Sequence, residues 1–192
     1  MTLNWNGRRS GELVLAIDMD EVLADTLGWQ IHLYNQRFGT HVVPDDLDGV
    51  DLIDIVPEAH KRWAANIFNE PGFFAAIPPL PGALEVMKRL CAHHRVYVAS
   101  AATEFPGSFN EKMDWLARYL PRIPVPRIVF CGEKSVLDVD YLVDDTPSHF
   151  VGLRGTGLLF DAPHNRKEHR YKRVYGWDTL EATIAALDAC RA

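Results

Sequence analysis

Residues 13–17, Leu-Val-Leu-Ala-Ile, form a short apolar run that stops at Asp18, with a second carboxylate two positions later at Asp20. A run this apolar and this short reads as a buried strand. Successive strand residues point to opposite faces, so Asp18 and Asp20 share a side if strand geometry continues past the end of the run. Two acids at the end of a buried strand are costly without a partner. A hard cation such as Mg²⁺, which takes oxygen ligands, is the simplest one. A carboxylate held beside a metal and a phosphate can also act as a nucleophile.

The rest of the chain sets this strand in context. A helical pattern over about 25–38 carries Leu27, Ile31 and Tyr34 on one face, and Gly39 is its stop signal. Residues 40–57 are acidic and irregular, and residues 58–69 form a second helical pattern with Trp63, Ile67 and Phe68. The prolines and glycines between Glu70 and Gly82 read as a linker. Helices then follow over 83–92, 108–120, 147–151 and 179–189, and strands over 95–99, 127–130, 141–143 and 157–160. Strands alternating with helices predict an α/β fold, a parallel sheet covered on both faces. Ligands of such sheets sit outside the carboxyl ends of the strands. Asp18, Ser100, Cys131 and Asp144 all fall just past strand ends, so the topology brings them to one edge. The segment between the first strand and Gly82 would lie over that edge as a small helical cap. The expected division is a core of residues 1–25 and 79–192 with a cap of residues 26–78, residues 1–11 being a polar leader.

Composition excludes several classes. The net charge of −6 argues against a nucleic acid polymer or an anionic membrane as partner. It leaves room for a small phosphorylated substrate, because a local cluster and a metal override the global sign. Cys91, Cys131 and Cys190 are odd in number and in no metal-like spacing, which argues against a disulfide framework or a zinc site and fits a reducing cytoplasm. Arg8-Arg9 is not read as an export signal, since the apolar run after it ends at once in Asp18. No stretch is apolar for long enough to cross a bilayer.

Taken alone, Asp20 reads as a helix cap. A second apolar run, Tyr-Leu-Val, ending in Asp144-Asp145 shifts the balance toward a shared ion site. Lys134, ten residues upstream, supplies the counter-charge that four acids around one phosphate require. Ser100, closing Val-Tyr-Val-Ala-Ser, offers a hydroxyl that can bind phosphate oxygens together with the backbone N–H groups after it.

In order, Asp18-Met-Asp20-Glu-Val22, Ser100, Lys134 and Asp144-Asp145 match four motifs, and the chain thereby resembles the haloacid dehalogenase-like (HAD) phosphatase superfamily. Asp-Met-Asp-x-Val-Leu-Ala-Asp25, Glu70-Pro-Gly-Phe-Phe74, Pro79-Leu-Pro-Gly-Ala83, Glu133-Lys134-Ser-Val and His164-Asn165 narrow the resemblance to the 5′(3′)-deoxyribonucleotidase family. It runs from residue 13 to about 190 and implies a Rossmann-like HAD core with a helical cap after the first strand.

That resemblance implies a Mg²⁺-dependent phosphatase acting on a small phosphomonoester, a (deoxy)nucleoside monophosphate first of all, through an aspartyl-phosphate. It makes Asp18 the nucleophile and a metal ligand, and Asp20 the general acid and base, with its backbone carbonyl on the metal. Asp145 is a direct metal ligand and Asp144 lies behind it. Ser100, Ala101 and Lys134 bind the phosphoryl group, and Thr26, Phe68 and Phe74 line the substrate pocket. The chain departs from the family at Glu21 (usually Gly), Thr26 (usually aromatic), Ala101 (commonly a hydroxyl) and Thr146 (commonly basic). His164-Asn165 reads as a loop turn with no chemical role. Another small ester such as a sugar phosphate, or a silent binding module on the same fold, are the alternatives. A dehalogenase is set aside because that branch lacks the second acid. Homodimer formation is left open.

Overall fold

A computed structural model describes residues 11–190; the expected polar leader falls almost wholly outside them. Strand β1 (Val14–Ile17) is fully buried, as its composition requires. It sits in a six-stranded parallel sheet of order β3-β2-β1-β4-β5-β6, with β2 Arg95–Ser100, β3 Ile128–Phe130, β4 Tyr141–Asp144, β5 Thr156–Phe160 and β6 Lys172–Val174. Ile17 pairs with Val98 on one side and Val143 on the other. The chain therefore builds outward from β1 in both directions, and the crevice at this switch point opens at the carboxyl ends of β1 and β4. Asp18 follows β1 and Asp144 closes β4, so the two apolar runs read from the sequence lie side by side with their acids at one edge.

The two faces of the sheet are covered unequally. Leu15, Ile17, Val96, Val98, Tyr141 and Val143 join the larger core with side chains of α5 (Ala83–His93), α6 (Ser108–Tyr119) and α7 (Trp177–Ala189). Val14, Ala16, Ala99 and Leu142 face a smaller cluster closed by Phe150, Leu137, Leu153 and Tyr171, which come from loops and a short 3-10 turn. Small side chains such as Ala16 and Ala99 suit that thinner layer.

Between β1 and α5 lie α1 (Thr26–Phe38), α2 (Leu52–Ile55), α3 (Glu58–Asn66) and α4 (Phe73–Ala76). Asp25 caps α1 by accepting from the Gly28 amide at 3.0 Å, and Gly39 ends it in the left-handed region at φ 65°. Ile31, Tyr34, Leu47, Leu52, Val56 and Ala64 form an apolar cluster of their own. Three elements differ from the sequence expectation, the first being α2, which lies inside the stretch 40–57 read as irregular. The stretch read as a linker contains α4, which fits between Gly72 and Pro78; its first amides are met by Glu111 of α6, which accepts from Gly72, Phe74 and Ala75. Strand β6 has no apolar run to announce it and is set by its register with β5.

Candidate active site

Asp18, Asp144 and Asp145 meet in the crevice, all buried, each offering one oxygen within 4.8 Å of the others. Lys134, fully buried, lies under them with Nζ 2.6 Å from Asp18 and 2.6 Å from Asp144. Burial lowers the lysine's proton affinity, but Asp18 and Asp144 outweigh that and hold it charged well above its ordinary range. Asp144 also accepts from the Thr146 amide at 2.9 Å and from His149 Nδ1 at 3.0 Å. Burial works against its charge, yet Lys134 and His149 hold its carboxyl below the usual range. Asp18 fares the other way: burial pushes its carboxyl well above the usual range, Lys134 pulls it back, and Asp144, Asp145 and Asp20 push it up again.

This donor set fits a divalent cation. Asp144 is occupied by Lys134, Thr146 and His149, whereas the Asp18 side chain has the Lys134 ammonium on Oδ1 and Asp145 turns toward the same point. Desolvated carboxylates with one lysine among them are the environment a hard ion with oxygen ligands satisfies.

Asp145 is braced by the two residues read from the sequence as a plain turn. Asn165 donates to the Asp145 carbonyl at 2.7 Å and to the Phe160 carbonyl at 2.8 Å. His164 Nε2 lies 3.1 Å from the Asp145 carboxylate, and that contact, against the opposing effect of burial, raises its pKa to about 9. Glu21 occupies the left-handed region at φ 55°, the conformation in which glycine is at ease. Its carboxylate accepts from the Leu27 amide at the start of α1, and burial, then Asp145, push its pKa up to about 8.

Above the acids, Asp18, Asp20, Thr26, Ala101, Lys112 and Asp145 face a cavity of about 290 Å³ whose outer wall includes Phe68, Phe74 and Phe105. Asp20 is held by Lys112, by the Thr26 hydroxyl at 3.2 Å and by Ser100 at 3.4 Å, and Lys112 donates to Ser100 at 3.0 Å. Lys112 also sits 4.6 Å from the Phe74 ring centre. Sequence reasoning missed this lysine. The signal was present: Lys112 shares the buried stripe of α6 with Ser108, Trp115 and Leu116, where a charge has no place without a partner. Phe74 is buried and Phe68 partly so, and each both packs and lines the cavity. Lys134 is not in the cavity wall; it lies beneath it.

Residues 12–190 match the family described as 5′ nucleotidase, deoxy (pyrimidine), cytosolic type C. The chain belongs to this nucleotidase family. Among its relatives is a Staphylococcus epidermidis protein provisionally named a 5′(3′)-deoxyribonucleotidase, 42% identical over 163 residues, covering 85% of this chain and 90% of that one. The Bacillus subtilis 5′(3′)-deoxyribonucleotidase is 34% identical over 176 residues, covering 89% and 98%. A HAD family hydrolase from Deinococcus radiodurans, solved with bound phosphate and sodium, superimposes with a TM-score of 0.61 at 12% identity, over 93% of this chain and 97% of that one. The fold is thus the Rossmann-like HAD fold, and this nucleotidase is a phosphoric monoester hydrolase. Among the described residues no helix is long and apolar enough to cross a membrane.

Proposed function

We propose that this nucleotidase hydrolyses a deoxynucleoside monophosphate with Mg²⁺ through an aspartyl-phosphate. The observation that carries the reading is the meeting of Asp18, Asp144 and Asp145 beneath a cavity that Asp20 and Lys112 also face. Asp18, Asp145 and the Asp20 carbonyl would hold the ion, which when bound neutralises phosphate charge and acts as a Lewis acid. An Asp18 oxygen forms a bond to phosphorus as the ester P–O bond breaks. Asp20 gives a proton to the leaving oxygen, then takes one from the water that cleaves the aspartyl-phosphate. Lys112 and the backbone at Ala101 meet the phosphoryl oxygens, Ser100 holds Lys112 and Asp20 from behind the wall, and Lys134 neutralises Asp18 and Asp144 from below. Residues 26–78 act as the cap. The cap rings Phe68 and Phe74, with Phe105 opposite at 5.1 Å and 6.0 Å between ring centres, offer a stacking surface for a base. That surface favours a nucleotide over a sugar phosphate.

A hydrolysis panel of dUMP, dTMP and glucose 6-phosphate, with Mg²⁺ and with chelator, tests the proposal. Mg²⁺-dependent release from the nucleotides in wild type, absent in Asp18→Asn, is expected. Equal or faster turnover of the sugar phosphate would overturn the substrate assignment, and release that ignores Mg²⁺ would overturn the mechanism.

A further inference from the structure

His149 is the second nitrogen-bearing side chain in the cavity wall, and neither the chemistry above nor the sequence motifs use it. It sits in the 3-10 turn Pro147–Phe150 directly after the acidic pair. That turn, closed by the His149 amide on the Thr146 carbonyl at 3.1 Å, folds the ring back against Asp144. Nδ1 lies 3.0 Å from each Asp144 oxygen. Asp144 is held ionised by Lys134 and has no proton to give, so Nδ1 carries the hydrogen and donates. A carboxylate that fixes one ring nitrogen orients the other. The opposite edge of the ring, with Nε2, is turned away from Asp144; among the described residues nothing bonds to it, and 14% of the side chain remains exposed.

The cavity needs such a group. Four carboxylates, Asp18, Asp20, Glu104 and Asp145, line it against one lysine, and Lys112 is already engaged by Asp20 and Ser100. From this geometry we propose that His149 is a phosphate-binding residue that is doubly protonated when phosphate is bound, its Nδ1–H donating to Asp144 and its Nε2–H to a phosphoryl oxygen. His149 and Lys112 both line this cavity, so a phosphoryl group in it would meet both. This deepens the nucleotidase reading and rests on the phosphoryl group occupying this cavity.

Two variants separate binding from scaffolding. The amide nitrogen of asparagine stands where Nδ1 does, so His149→Asn keeps the Asp144 bond and deletes the cavity-facing donor. That of glutamine stands where Nε2 does, so His149→Gln keeps the donor and loosens Asp144. The readout is the Kd of inorganic phosphate in the presence of Mg²⁺, by isothermal titration, with a thermal melt on each variant. Loss of one charge-assisted hydrogen bond predicts about 10- to 100-fold weaker phosphate binding in His149→Asn, with His149→Gln within a few-fold of wild type. Unchanged binding in His149→Asn, equal loss in both variants, or loss confined to His149→Gln overturns the proposal, the last marking a scaffold for Asp144. The assay needs no nucleotide turnover. Phosphate held through His149 by a protein that cleaves no nucleotide would sink the substrate reading alone, and active enzyme indifferent to His149→Asn would sink this one alone.

Discussion

Replacing Lys134 with methionine keeps the length and apolar body of the side chain and deletes its charge. In the native protein this ammonium is fully buried and lies 2.6 Å from Asp18 and 2.6 Å from Asp144. Removing one partner of a buried ion pair costs about 3–5 kcal/mol, because the charge left behind stays desolvated. Asp144 would keep the Thr146 amide and His149. Asp18 would keep nothing comparable, since the ion-pair partner of its buried Oδ1 is Lys134. With one carboxylate still braced, the lower end applies: about 3 kcal/mol, or about 6–12 °C in Tm for a chain of this size. The loss carries a pH signature. The Asp18 carboxyl is already well above its usual range through burial, and losing Lys134 raises it further. A raised carboxyl pKa means the folded state holds the proton more tightly than the unfolded chain. Its destabilising effect is then absent below the unfolded value of about 4 and grows as pH rises toward the folded value. Asp144, held low by Lys134, loses that support in the variant, and this loss too matters least in acid. Calorimetry of the metal-free wild type and variant at about pH 4.5 and 7.5 should show a small gap in acid and the full gap near neutrality. A gap equal at both pH values, or below about 1 kcal/mol near neutrality, would refute the claim that Lys134 exists to neutralise this cluster.

Three further outcomes follow from the same electrostatics. Asp18→Asn removes a carboxyl whose charged form burial makes costly, so the metal-free variant should melt a few degrees above wild type while losing all turnover and the Mg²⁺-induced rise in Tm; a lower metal-free Tm would count against it. Asp20→Asn should lose turnover yet bind Mg²⁺ with near-wild-type affinity, as titration calorimetry would show, because its carboxylate faces Lys112, Thr26 and Ser100 rather than the acid cluster. Glu21, raised from 4.5 to about 8 by burial and then by Asp145, contributes stability that is lost as pH climbs through that window. Melting curves of wild type should therefore fall between those values, and those of Glu21→Gln should fall less; parallel curves would contradict the assignment.

What the sequence made legible was whatever could be written as a local pattern. Strands β1 and β4 are apolar runs with acids at their ends, and the chain order that places them side by side follows from the alternation of elements. The acidic pair and Ser100 are legible because each ends such a run, and Lys134 because the acids require a counter-charge nearby in sequence. Strand β6 escaped because Lys172-Arg173-Val174 has no pattern of its own and exists through its bonds to β5. Helix α4 escaped because its punctuation residues flank it and its amides are satisfied by Glu111, a residue of α6. His164 and Asn165 escaped for a related reason: their partner, Asp145, is near only after β5 has been laid beside β4. Lys112 is different, since a lysine on the buried stripe of α6 is legible in the local pattern itself.

The cluster around Asp145 is built to be short of positive charge until an ion arrives. Asp18, Asp144 and Asp145 are met by Lys134 and by His164, whose pKa of about 9 keeps it cationic near neutrality, so a single negative charge remains. A divalent ion reverses that sign, and the site then attracts a phosphate rather than repelling it. His164 therefore does two opposed things. It lowers the cost of keeping Asp145 ionised before metal binds, and it repels the metal once present. His164→Asn removes the charge, and the Asn165 bond to the Asp145 carbonyl remains to hold the loop. The expected result is Mg²⁺ binding tighter by about tenfold in titration calorimetry near neutral pH, a magnitude set by one unit charge acting through a partly solvated site. The metal-free variant should also melt lower than wild type, because Asp145 has lost its counter-charge. Weaker Mg²⁺ binding in a variant whose metal-free Tm is unchanged would mean that His164 supports the ion site by position, and the charge balance argued here would be wrong.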